Sequence, residues 1–160
     1  MLEIIATDAP RLNEIEGEIH DWFFDLDDIQ FDSGTGKIVI PFRRWDYDER
    51  RLISTEQQGW FRRRMREHWE APWYRWFLSV GRVDGYELVD EADVGQTDFC
   101  SISYDAIDGT LTIQGCQPVT LTASVRALEV SLRETAEVIG TARFSSGPGL
   151  YYDGAVYPPS

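Results

Sequence analysis

The chain is short of the residues that usually announce chemistry. Among its 160 residues there are two cysteines, two histidines, two methionines and a single lysine, Lys37. Cys100 and Cys116, with fifteen residues between them, fall short of a zinc-ligand set, so neither a metal nor a cofactor is expected. His20 and His68 have no Ser or Cys set near them by spacing, which leaves nucleophilic catalysis without support. No GxGxxG, HExxH, GxSxG or CxxC occurs. Gly34-Thr35-Gly36-Lys37 resembles the end of a phosphate loop. However, Phe31 stands where that loop needs its first glycine, and Ile38 where it needs Ser or Thr. No apolar run approaches the roughly 18 residues of a membrane helix. The opening residues lack a basic stretch followed by a long apolar one, so cytoplasmic location is the expectation.

Acid is abundant. Twenty-eight Asp and Glu against 15 Lys and Arg give a formal net charge of −13. Such a surface repels phosphate backbones and anionic membranes, so nucleic acid and membrane are poor partners and a basic protein fits better. With 42% apolar residues the chain has enough to build a core.

The dominant period is two. Ile15, Gly17 and Ile19 alternate with acids and read as a strand. Ile29-Gln30-Phe31-Asp32, the turn Ser33-Gly34-Thr35-Gly36, and Ile38-Val39-Ile40 read as a hairpin with Asp32 facing Lys37, Phe31 facing Ile38 and Ile29 facing Ile40. The same word returns 73 residues later as Ile102-Ser103-Tyr104-Asp105, Gly109, Leu111 and Ile113. That second hairpin should set Asp105 against Thr110, Tyr104 against Leu111 and Ile102 against Ile113. Gly36 and Gly109 close the two loops, where a left-handed residue is needed. In this register Cys100 is a buried small hydrophobe facing Gly115, and Cys116 points to the other face, so the two stay reduced.

Further strand patterns run over 73–80, 119–125, 128–132 and 137–144. The expected fold is therefore all-β, an antiparallel sandwich or strongly curved sheet of about nine strands. It contains two related hairpin units, about 15–44 and 85–115, joined by a segment over 45–72. Residues 1–146 form the expected domain and 147–160 an extended or partly disordered tail.

The joining segment has its own character. Residues 43–70 hold eight of the fourteen Arg, and five of the six Trp fall between Trp45 and Trp76. Phe61, Met65 and Trp69 at i, i+4 and i+8 allow one short helix near 56–69, with Thr55 and Gln58 placed as a capping box and Gly59 against it. Trp60, Arg62, Arg63, Arg64 and Trp69 are the candidate partner- or ligand-binding residues, since Trp and Arg are the usual interface anchors. The plainer alternative pairs these arginines with the protein's own acids. Asp25, Asp27 and Asp28 join the candidates as an acidic turn. They fail the calcium-loop pattern at Ile29 and Gln30, and Asp46-x-Asp48 fails it at Arg50.

The function expected is a non-catalytic interaction or binding module, for instance a bacterial inhibitor or immunity-like protein that neutralises a basic partner. A small-molecule-binding β fold, with or without enzymatic activity, is the alternative. Exposed strand edges also allow a homodimer.

Overall fold

A computed structural model describes residues 1–60, 64–147, 149–152 and 154–158. The strands are β1 (Glu3–Ala6), β2 (Phe23–Asp25), β3 (Gln30–Asp32), β4 (Lys37–Trp45), β5 (Arg51–Gln58), β6 (Arg64–Val80), β7 (Val83–Asp90), β8 (Gln96–Asp105), β9 (Thr110–Gly115), β10 (Val119–Val125), β11 (Val130–Gly147) and β12 (Gly149–Tyr152). One helix, α1, spans Ala9–Ile19, and a 3-10 turn covers Leu26–Asp28. The all-β expectation holds, with twelve strands rather than about nine. They pair in the open order β1-β11-β6-β4-β2-β8-β9-β10-β7, with β3 on β4, β5 on β6 and β12 on β11.

Two compact units share the chain. Unit 1 comprises Met1–Arg43 and Trp76–Thr135; unit 2 comprises Arg44–Arg75 and Ala136–Ser160. Unit 1 holds nearly all of the core. β4 turns Ile38, Ile40 and Phe42 inward, β9 turns Leu111 and Ile113, and β10 turns Val119, Leu121 and Ala123. Burying a side chain of this size is worth roughly 1.5–3 kcal/mol.

Both hairpins adopt the register read from the sequence. Asp32 pairs with Lys37 and Phe31 with Ile38. Asp105 pairs with Thr110, Tyr104 with Leu111 and Ile102 with Ile113. The turns are built alike. Asp32 Oδ1 accepts from the amides of Gly34 and Thr35, and Asp105 Oδ1 accepts from those of Ile107 and Asp108. Gly36 and Gly109 both have φ of 64°. Each glycine carbonyl then accepts from a valine amide, Val83 in the first case and Val125 in the second. One pairing differs from the expectation: Ile29 lies outside β3, at the end of the 3-10 turn.

Three further readings are corrected. Ile15–Ile19 is not a strand but the last turns of α1. Leu12, Ile15 and Ile19 lie at i, i+3 and i+7 and are buried, and Asp8 caps the N-terminus by accepting from the Arg11 amide beside Pro10. The helix near 56–69 is absent from the described residues there. Strands β5 and β6 pair antiparallel, with Gln58 opposite Arg64, and Gly59, which follows β5, has φ of 87°. Positions 65 and 69 share a face in either geometry, so a four-residue spacing could not separate helix from strand. The third correction concerns Cys100. A bulge between Phe99 and Ser101 sets Phe99, not Cys100, against Gly115. Phe99 and Ile102 are both buried yet three positions apart, and period-two alternation cannot send both inward without one extra residue. That residue is Cys100, which is only half-buried.

β12 folds back on β11, and Tyr157 bridges Thr141.

Candidate functional site

Unit 2 gathers aromatic side chains, some buried and some exposed. β11 carries the buried Phe144 opposite the exposed Tyr152 and Ser145 opposite the exposed Tyr151, and β5 sets Leu52 opposite the half-buried Trp69. Trp45 stacks on Phe144 with ring centroids 4.5 Å apart and reaches Tyr47 at 5.8 Å and Tyr152 at 5.9 Å. An open groove of about 400 Å³ results, its walls formed by Ile53, His68, Trp69, Phe144, Tyr151 and Tyr152.

Arginines lie over these rings rather than away from them. The Arg50 guanidinium sits 3.9 Å from the Tyr47 centroid and 5.2 Å from that of Trp69, and Arg66 sits 5.4 Å from Tyr151. Stacking of this kind keeps the planar cation at an apolar surface while its edge stays free for hydrogen bonds. Carboxylates complete the rim. His68 Nε2 lies 3.3 Å from Glu56, and Trp69 Nε1 donates to Glu67 at 3.2 Å. Ser146 also donates to Glu67. Tyr74 donates its hydroxyl to Glu49, and this hydrogen bond pushes the phenol above its usual range.

The candidate residues named from the sequence fall in separate places. Trp69 lines the groove, while Trp60 lies just past β5 and is 96% exposed. Arg62 and Arg63 lie outside the described residues, and Arg64 opens β6. Asp25 has a structural partner: it pairs with the Arg43 guanidinium, which is only 5% exposed. Asp27 and Asp28 lie exposed in the 3-10 turn. His20 follows α1 and is taken up below. The sequence reading missed Phe144, Tyr151, Tyr152 and His68. Three tyrosines in a tail without periodicity were the available signal.

A larger cavity of about 560 Å³ in unit 1 is lined by Lys37, Arg82, Arg126 and Glu129 among others. Its arginines are already engaged, Arg82 with Glu129 at 3.1 Å and Arg126 with Asp84 at 3.4 Å. The groove of unit 2 is therefore the better candidate. Compared with known proteins, the chain matches no family model, and no curated protein or solved structure is significantly similar to it. No helix among the described residues is long and apolar enough to cross a membrane.

Proposed function

We propose that the protein is a non-catalytic protein-binding module whose groove in unit 2 receives an apolar anchor from a basic partner. The observation that carries this reading is where the exposed apolar side chains lie. Ten of the seventeen large ones among the described residues belong to unit 2, the smaller unit, and they extend past the groove to Leu52, Trp60, Met65 and Leu150. An apolar area that overruns its own groove suits a protein surface better than a small ligand. The net charge of −13 supplies the second half of the reading, because it draws cationic proteins from a distance and speeds their encounter.

Panning a display library of short random peptides against the protein tests this. The expected enrichment is for peptides with an aromatic or large aliphatic residue beside Lys or Arg. Trp69→Ala and Tyr151→Ala should lose them through faster dissociation, and added salt should slow association. Failure to enrich, or enrichment that survives Trp69→Ala, overturns the reading.

A second reading is favoured by two facts. The groove volume falls in the roughly 300–1,000 Å³ range of small-ligand sites, and His68 beside Glu56 has the form of a carboxylate-oriented base. It requires an aromatic small molecule, screened by saturation-transfer NMR, to bind wild-type protein and to lose that binding in His68→Ala.

A further inference from the structure

The bulge at Cys100 brings together a set of side chains that sequence spacing keeps apart. Helix α1 ends at His20, and Asp21 follows in the left-handed region with φ of 66°. Its amide donates to Phe99 O, and the amide of Cys116 donates to Asp98 O, so three separate segments meet beside β8. One ligand atom each from Asp21, Asp98 and Cys116 lies within 4.8 Å of the others. Cys116 Sγ donates to Phe99 O at 3.9 Å, beside the bulge residue Cys100. Both cysteines of the protein are thus in this one place.

We propose that Cys116, Asp21 and Asp98 form a binding site for a divalent cation of the zinc class. One sulfur and two carboxylates make a three-ligand set that leaves a fourth position to water, and borderline-soft Zn²⁺ accepts both donor types where Ca²⁺ and Mg²⁺ would take oxygen alone. No Lys or Arg among the described residues forms an ion pair with Asp21 or Asp98; His20 Nε2 lies 3.5 Å from Asp21. His20 also meets Cys100 O through Nδ1 at 3.2 Å, which places it to position both flanks of the site. As the Sγ–metal bond forms, the thiol gives its proton to solvent. The site lies within unit 1 and does not depend on the groove.

The test uses the whole protein, fully reduced and free of oxygen, with Co²⁺ as the probe. One Co²⁺ per chain should bind with a thiolate-to-cobalt charge-transfer band, and Zn²⁺ should displace it. Cys116→Ser should weaken binding at least about tenfold and remove the band. Asp98→Asn should weaken it about tenfold with the band retained. Each variant should keep the wild-type far-UV circular dichroism. The proposal is overturned if reduced protein gives no sulfur-to-cobalt band, if Cys116→Ser binds as tightly as wild type, or if the two thiols only close to a disulfide on oxidation.

Discussion

The two units differ in what they are made of. Unit 1 carries 20 acids and six bases, and unit 2 eight acids and nine bases, so the whole negative charge of the protein belongs to unit 1. Burial divides even more sharply. Of the 29 buried apolar side chains among the described residues, only Ala71, Trp73, Ala142 and Phe144 belong to unit 2. Unit 1 meets the demands of folding with alternating β-branched and aromatic residues turned inward and acids turned outward. Unit 2 keeps a thin core around Trp73 and Phe144 and leaves Tyr47, Trp60, Tyr151 and Tyr152 exposed. A fold can hold a sticky face in solution when another part of the chain supplies both stability and charge.

The largest effect should come from the denser core. Phe99 is fully buried and packs edge-on against Phe42 at 6.1 Å, so Phe99→Ala should cost about 3–5 kcal/mol, read as a shift in the urea midpoint. Trp69→Ala, at the half-buried wall of the groove in unit 2, should cost less, about 1–2 kcal/mol in the same experiment. Equal costs would erase the contrast.

Next in size is Asp25. Asp25→Asn leaves the Arg43 guanidinium buried with a weakened partner and should cost about 2–3 kcal/mol, whereas Asp27→Asn and Asp28→Asn should stay within about 0.5 kcal/mol. The three acids look alike in the sequence, so this series separates the one that holds unit 1 together from the two that only charge it.

Gly36→Ala and Gly109→Ala follow. A Cβ would come within 2.8 Å of Val83 O in the first and 2.9 Å of Val125 O in the second, in a left-handed conformation each time. Each substitution should cost at least about 1 kcal/mol, and the two costs should match if the hairpins are equivalent. A neutral result at either position would show that the two turns bear load differently.

The smallest effect concerns acid. Hydrogen bonds from Thr35 and the Gly34 amide hold the Asp32 carboxylate below its usual range. Because the folded value is depressed, the stabilisation is complete above the unfolded carboxylate value and is lost as pH falls through the lower, folded one. Asp32→Asn should flatten that part of the acid-unfolding curve, remove a small stabilisation at neutral pH and change little at low pH.

What could be read from the sequence followed from how many constraints agreed. In Ile29–Ile40 and Ile102–Ile113, period two, an Asp that accepts from its own turn and a closing glycine all point to one register, and both hairpins adopt it. At Ile15–Ile19 two periods coincide, because residues four apart share a face in strand and helix alike. The deciding signal was local: Asp8 before Ala9-Pro10, a cap followed by proline. At 56–69 the same ambiguity ran the other way, and Gly59 marked the end of β5. The groove was half legible. Trp69 stood out by composition, but Phe144 and Tyr152 reach it only because β11 continues to Gly147 and β12 doubles back. The bulge at Cys100 is visible in retrospect from the odd spacing of Phe99 and Ile102, which a strict alternation could not accommodate.

Native-state hydrogen exchange bears most directly on the division between the units. β8, β9 and β10 should exchange only through global unfolding, with opening free energies at the top of the range for the protein. β5 and β12 should open several kcal/mol more easily and become protected when an enriched peptide is added. Uniform protection across β5, β8, β9 and β12, or peptide protection confined to unit 1, would contradict the account.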